Sequence, residues 1–189
     1  MRNCSFYAES ELRTIGFKSL GNNVKISRKA SIYGAENMIV GNNIRIDDFC
    51  ILTGYIKIGS FSHIAAYSAL YGGAGIVIED YTNISARVLI YSTSDDFSGE
   101  YMAGPIIPEI FTNIIKKKVI IRKHVIIGAG SVIFPGVEIK EGAAVGALSL
   151  ITKNLEPWHI YAGIPCRAIR ERGKKPLMLE QRLIEHLDS

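Results

Sequence analysis

The sequence predicts an all-β domain built as a three-sided parallel solenoid, and three observations carry that prediction. An isoleucine or valine recurs every six residues through the C-terminal half: Ile115, Ile121, Ile127, Ile133, Ile139, Val145 and Ile151. The fifth place of each hexad is small or aliphatic: Val119, Val125, Ser131, Val137, Ala143, Ser149 and Leu155. The N-terminal half repeats the pattern with two slips. A period of six matches neither the 3.6-residue turn of a helix nor the alternation of a hairpin meander. It matches a solenoid with six-residue sides and eighteen-residue coils, in which each inward side chain stacks on its counterpart in the next coil.

Taken in chain order, residues 1–19 form a cap. SFYAESELRTIGFK, 5–18, predicts a short helix with Ser10 or Ser5 as N-cap and Gly16 as its stop. A first coil otherwise exposes its core end-on, and a helix can cover it. The solenoid occupies 20–155. Leu20, Ile26 and Ile32 make one coil; Val40, Ile46 and Leu52 the next; then Ile58, Ile64 and Leu70, and Ile78, Ile84 and Ile90. The steps from Ile32 to Val40 and from Leu70 to Ile78 are eight residues, which predicts a two-residue bulge at a corner. Small or aliphatic residues hold the fifth places here too, with Glu36 the exception. Each buried aliphatic contributes about 1.5–3 kcal/mol.

The count breaks over 92–113, STSDDFSGEYMAGPIIPEIFTN, an insertion rich in Ser, Gly, Asp and Pro. Structureless insertions of this length are usually functional. Residues 156–189 leave the solenoid through EPWHIYAGIPCRAIRERG. Pro176 then opens an amphipathic helix with Leu179, Leu183 and Leu187 expected on one face, packed on the solenoid or on a neighbouring subunit.

Coils about 4.8 Å apart turn outward positions into columns. One column is polar: Lys25, Arg45, His63, Asn83. A second becomes apolar where it should meet water: Ser31, Ile51, Ala69, Leu89. The third is expected to be Asn37, Lys57, Gly75, Asp95. The upper coils continue with Ile126 and Ala144, and with Val132 and Leu150. An outward apolar column predicts subunit contact.

The 189 residues suit a single domain with one continuous core. Three cysteines at unrelated spacings argue against a disulfide framework, and Cys50 falls on an inward slot as a structural thiol. MRNCSFYAES lacks a signal-peptide core and no apolar run reaches spanning length, so residence in the cytoplasm with no membrane partner is expected. The net charge of +4 is concentrated in Lys116, Lys117 and Lys118, in Arg122 and Lys123, and between Arg167 and Lys175. Without interleaved aromatics or a binding module, this charge suits a small polyanion better than nucleic acid.

The hexads IGSFSH, IGAGSV and VGALSL resemble the transferase hexapeptide repeat, a resemblance covering about 20–155. It implies a left-handed parallel β-helix, acyl transfer, and a homotrimer with active sites between neighbouring solenoids. GALSLITKNLEPWHIYAGIPCRAIRER is similar to the final coil and exit of sugar acetyltransferases. There the resemblance implies acetyl-CoA binding, with the amides of Ala129 and Ala147 along the pantetheine arm and Thr152, Lys153 and Arg167 near the nucleotide phosphates. Sugar O-acetyltransferases of the maltose and galactoside type carry a histidine near the start of the loop. This chain has Ser92-Thr93-Ser94-Asp95-Asp96 there instead.

The missing histidine directs the chemistry. A sugar hydroxyl needs a base before it attacks a thioester. An amine with a conjugate-acid pKa of roughly 8 is already partly neutral near pH 7. Carboxylates suit such an acceptor, because they orient it and accept the proton it sheds. SDDFSGEY, together with GFKSLG and IRIDDF, is similar to acetyltransferases of surface-polysaccharide gene clusters that act on dTDP-linked 4-amino-4,6-dideoxyhexoses. The expected function is N-acetylation of a nucleotide-linked amino sugar for O-antigen or capsule. Asp95, Asp96 and His63 are the catalytic candidates. Arg45, Asn83 and Ser94 are the substrate-binding candidates, and no metal is expected. Three alternatives compete: O-acetylation with His63 or Asp95 as base, a metal-dependent hydratase resembling γ-type carbonic anhydrases, and a catalytically silent solenoid. The hydratase needs three grouped histidines, whereas His63, His124, His159 and His186 are scattered.

Overall fold

A computed structural model describes residues 5–187. Cys4 and the first residues of the cap lie outside the described residues. The chain winds as a parallel β-solenoid of three faces, each a ladder of short strands paired one coil to the next. Face 1 carries Val40, Ile58, Ile78, Ile121 and Ile139 inward. Face 2 carries Ile26, Ile46, Ile64, Ile84, Ile127 and Val145, and face 3 carries Leu52, Leu70, Ile90, Ile133 and Ile151. Nearly all are completely buried, and together with the fifth-place residues they form one continuous core. Where the fifth place is a serine, its hydroxyl is satisfied by the main chain: Ser68 donates to Ser85 O at 3.0 Å and Ser149 to Gly146 O at 2.8 Å. Cys50 is fully buried, and burial pushes its thiol up to about 11, which rules it out as a nucleophile.

Both bulges are present. Tyr33 pairs with Thr53 and Met38 with Ile56, so two extra residues sit between them, looped out as a 3-10 turn at Ala35–Asn37 that turns Glu36 outward and buries Ala35. Gly54 pairs with Gly72 and Ile56 with Ile76, which places the second bulge in the strand Ala69–Ile78. These bulges shift the third column from its expected make-up. Lys57 stacks between Ile39 and Val77, and the column continues through Ile120 to Glu138. Asn37 and Gly75 belong to the bulges instead. The other two columns stand as expected, Lys25–Arg45–His63–Asn83 on face 2 and Ser31–Ile51–Ala69–Leu89 on face 3.

The expected hexad of Ile115 is not part of the core. Ile115 is exposed in a short antiparallel pair, Thr93–Ser94 with Ile115–Lys116, that closes the base of the insertion, and the solenoid resumes at Val119–Ile121. The insertion therefore leaves and rejoins at the corner between faces 3 and 1.

The ends are closed differently. Helix α1, Glu9–Thr14, buries Leu12 against the first coil, as a cap should. Its N-cap is Ala8, neither Ser5 nor Ser10; Glu11 accepts from the Ala8 N–H at 2.6 Å, so a carboxylate inside the first turn replaces the serine. At the other end His159–Ala162 extends face 2, and Arg167–Glu171 pairs back on it antiparallel. Helix α2, Lys175–Leu187, then docks through Glu180, which meets His124 Nε2 at 2.6 Å and Lys123 Nζ at 3.5 Å. Pro176, Glu180 and Leu183 are its half-buried positions, while Leu179 and Leu187 are exposed. Of the expected leucine face only Leu183 turns toward the solenoid: an ion pair positions the helix and leaves Leu179 and Leu187 uncovered. No helix among the described residues is long and apolar enough to cross a membrane.

Candidate active site

At the corners the backbone turns and side chains project outward. Most face 1–2 corners use a non-glycine residue at positive φ, and the rings of Phe61, Tyr81 and His124 stack there at 5.3 and 5.2 Å. Trp158 follows, tilted, at 6.1 Å from His124. His124 is buried in this ladder and paired with Glu180, and His159 Nδ1 lies 2.8 Å from Pro157 O. Both are structural.

The face 2–3 corner differs along its length. Above Ser85 the residues are Gly128, Ala129, Gly146 and Ala147. A Cβ on Gly128 would lie 2.4 Å from Ala147 N, so only glycine lets these coils stack. Ala129 and Ala147 are exposed, and among the described residues their N–H groups make no hydrogen bond, leaving donors on an open ledge. Arg167 pairs with Ala162, the next residue up this corner, and is also exposed. Thr152 and Lys153 stand elsewhere, at the face 3–1 corner beyond Ile151. One subunit therefore gathers Ala129, Ala147 and Arg167 and leaves Thr152 and Lys153 a face away.

The insertion folds over the face 3–1 corner and encloses a hollow of about 440 Å³. Its floor is aromatic: Tyr71 and Tyr91 stack at 5.0 Å, with Phe134 in the coil above. Its polar groups come from Thr93, Ser94 and Asp95. The Asp95 carboxylate is half-buried, and among the described residues it is held by a single long contact, from Gly104 N–H at 3.4 Å. Asp96, next in sequence, is spent on the loop itself. It accepts from the Ser98 amide at 2.7 Å, from the Ser98 hydroxyl, and from Asn113 Nδ2 at 3.1 Å. The Ser98 bonds hold its carboxyl below the usual range.

The remaining candidates form a separate network on face 2. Arg45 Nε donates to Asp47 Oδ1 at 2.7 Å, His63 Nε2 lies 2.8 Å from Asp47 Oδ2, and His63 Nδ1 lies 3.1 Å from Asn83 Oδ1. Burial pushes Asp47 up, but the hydrogen bonds from Arg45 and His63 outweigh it and hold the carboxyl low. Both ring nitrogens of His63 are engaged, so neither is open to take a proton from an acceptor. Asp47, which completes this network, escaped the sequence reading because it lies just past a strand end. Among the described residues no three His, Cys, Asp or Glu side chains gather as a metal-holding group.

No family model matches the chain. It is similar to the dTDP-4-amino-4,6-dideoxy-D-glucose acyltransferase of Escherichia coli, at 49% identity over 179 residues and 93% of each chain. It is also similar to AntD, an N-acyltransferase from Bacillus cereus solved in complex with dTDP and 3-hydroxybutyryl-CoA. That match has 53% identity and a TM-score of 0.97, and it covers 98% of this chain and 99% of the other. A maltose O-acetyltransferase from Clostridium difficile, 21% identical over 87% of this chain and 75% of its own, shares the fold at a TM-score of 0.56. The solved forms of AntD include replacements of a serine and of an aspartate ten positions apart. Here Ser85 and Asp95 are the one serine–aspartate pair with that spacing. Ser85 was absent from the sequence-derived candidates. Its signal is faint: a hydroxyl on an outer corner where the coils above have Gly128 and Gly146.

Proposed function

The chain belongs to the dTDP-4-amino-4,6-dideoxyglucose acyltransferases, and from that premise we propose that it moves an acetyl group from acetyl-CoA to the 4-amino group of that nucleotide sugar, with Asp95 and Ser85 at the reacting atoms. N-acyl transfer from a CoA thioester to a nucleotide-linked amino sugar is the activity. Acetyl as the acyl group, and O-antigen or capsule as the destination, are the finer parts of the reading. The single observation that carries the site is the half-buried Asp95 carboxylate, almost unpartnered in a hollow roofed by the insertion.

Asp95 takes a proton from the bound ammonium and passes it to solvent, and the neutral amine then attacks the thioester carbonyl carbon. A C–N bond forms, the carbonyl oxygen becomes an oxyanion, and Asp95 takes the proton shed by nitrogen. The intermediate collapses, the C–S bond breaks, and the departing thiolate acquires that proton, so that atoms and charge balance. Ser85 orients the amine. The open amides of Ala129 and Ala147 line the pantetheine arm, with Arg167 toward its phosphates. Asp96 keeps the loop closed and does not touch the acceptor.

Ser85 and Asp95 stand at opposite edges of face 3, with roughly 20 Å of extended chain between the two corners. The apolar column through Ala69, Leu89 and Val132 lies between them. This supports a homotrimer in which Asp95 of one subunit meets Ser85 of the next. The same arrangement lets Thr152 and Lys153 of one subunit approach the cofactor ledge of another. The cytoplasm, where acyl-CoA and nucleotide sugars are made, is the expected location. O-acetylation gains nothing from His63, whose nitrogens are committed. The test is to incubate the protein with acetyl-CoA and a panel of dTDP-linked amino- and hydroxy-sugars, following thiol release and product mass. Acetylation of the 4-amino sugar alone is expected. Acetylation of hydroxy-sugars at equal efficiency refutes N-selectivity.

A further inference from the structure

The two limbs of the insertion leave the face 3–1 corner as an antiparallel ribbon, Thr93 opposite Lys116 and Ser94 opposite Ile115. Carried two places further, that register sets Asp95 opposite Ile114 and Asp96 opposite Asn113. Backbone pairing ends before this point. Asn113 Nδ2 nevertheless donates to Asp96 Oδ2 at 3.1 Å, a side-chain rung where the main-chain rungs stop. Successive side chains of an extended chain alternate between its faces. Accordingly Asp95 and Ile114 line the hollow, and Asp96 and Asn113 meet outside it. Little else holds the insertion. From Thr93 to Lys118 no residue is buried. Residues 92–113 carry four carboxylates, Asp95, Asp96, Glu100 and Glu109, and no lysine or arginine. None of the four forms an ion pair among the described residues. The other ties between the limbs are the bond from Met102 N–H to Phe111 O at 2.9 Å and the long contact of Gly104 with Asp95.

We propose that the insertion is a lid over the hollow and that Asn113 is a positioning residue, clasping the lid through Asp96 so that Asp95 points at the acceptor. This rests on the role given to Asp95 above, and adds what aims that carboxylate and what admits the substrate. The chain at Asp95 is fixed on both sides, by the backbone pair at Ser94 and by the side-chain rung at Asp96. Asp96 also gathers the turn that follows, accepting from the Ser98 amide at 2.7 Å and from the Ser98 hydroxyl. Asn113 acts at a distance from the reacting atoms: without its amide, Asp95 swings with the limb that carries it. A segment with no buried apolar contacts and solvent-exposed bonds opens at the low end of a protein's range of local stabilities. Parting the Asp96–Asn113 and Met102–Phe111 rungs lifts Phe97 and Pro105 away from the floor of Tyr71, Tyr91 and Phe134. The ribbon base at Thr93–Ser94 stays paired and anchors the movement. One weak clasp thus both admits the acceptor and sets the carboxylate that receives its proton.

Hydrogen exchange and thiol-release kinetics on the full-length protein test this. Asn113→Asp sets two carboxylates against each other and is expected to open the lid. Exchange at the Ser98 and Met102 amides should quicken about tenfold while the coils stay protected. At pH 7 kcat should fall about tenfold, and the deficit should shrink toward pH 9 as it does for Asp95→Asn, because the same proton acceptor has lost its aim. Adding Asp96→Asn to that variant exchanges donor and acceptor. The new amide keeps an oxygen for Ser98 and donates its N–H to the new carboxylate at 113, so exchange and kcat should return close to wild type. Unchanged exchange in Asn113→Asp overturns the clasp, as does a double variant that rescues nothing. Faster exchange with wild-type kcat, or with a deficit that ignores pH, overturns the positioning role. A wild-type protein that acylates no dTDP-amino sugar defeats the functional reading instead, while the exchange experiment, which needs no turnover, still decides the clasp.

Discussion

Replacing Asp95 by asparagine removes the charge from the loop hollow and keeps the shape. The carboxylate has one long contact, from Gly104 N–H at 3.4 Å, which an asparagine oxygen can still accept, so the loop is expected to stay closed. What disappears is proton acceptance, worth on the order of 100-fold or more in rate, or about 2.7 kcal/mol of barrier at 1.36 kcal/mol per decade. The loss should depend on pH in a defined direction. With an amine pKa of roughly 8, about one tenth of the acceptor is neutral at pH 7 and about nine tenths at pH 9. Asparagine cannot help a bound ammonium lose its proton, so the variant depends on that neutral fraction. Its deficit should shrink from about 100-fold at pH 7 to about tenfold at pH 9. The assay is kcat from thiol release at saturating substrates across that range, beside wild type, Asp96→Asn and His63→Ala. A pH-independent deficit would refute proton acceptance, and full activity in Asp95→Asn removes the residue from the site. Collapse in His63→Ala alone would transfer the role to the histidine, against the geometry of its two engaged nitrogens.

Three further outcomes follow from particular contacts. Leu89→Glu puts a charge into the apolar column of face 3 and is expected to split the proposed trimer, seen as a lower sedimentation coefficient; an unchanged value sinks that interface. Gly128→Ala forces a methyl to within 2.4 Å of the Ala147 backbone, so the coils must part. The melting temperature should fall by several degrees, and KM for acetyl-CoA should rise more than kcat falls, whereas an unaltered KM separates the ledge from the cofactor. Glu180→Gln removes the charge that pairs His124 and Lys123. Hydrogen exchange should quicken across 175–187 while the coils stay protected, and protection equal to wild type shows that other contacts hold α2.

The core was legible because the solenoid is a local code. Ile64, Ile84 and Ile127 face inward at a fixed interval, and burial alone selects them. Even the bulges announced themselves as eight-residue steps. What the interval could not carry was the identity of residues that leave it. Ile115 kept the phase by coincidence, yet strand pairing with Ser94 holds it outside the core. Asn37 and Gly75 were misplaced because a bulge length does not say which residues loop out. Site residues were harder still, since their roles depend on side-chain partners distant in sequence. Asp96 is occupied by Asn113, seventeen residues on, and His63 by Asp47, sixteen residues back. Neither pairing has any mark in the repeat. Ser85 showed nothing beyond a hydroxyl where the coils above have glycine.

A stack of near-identical coils contains no instruction about where to stop, because each completed coil is a template for one more. The strand Arg167–Glu171 supplies that instruction by reversing direction. Every other strand-to-strand pairing on face 2 is parallel, and this one runs antiparallel with Arg167, Arg170 and Glu171 on its exposed edge. An incoming chain would meet the wrong polarity and a row of charges, conditions that discourage edge-to-edge growth. The hairpin therefore sets the length of the molecule as well as closing it. Without it, the same sequence regularity that makes the domain stable would make it a monomer for fibres.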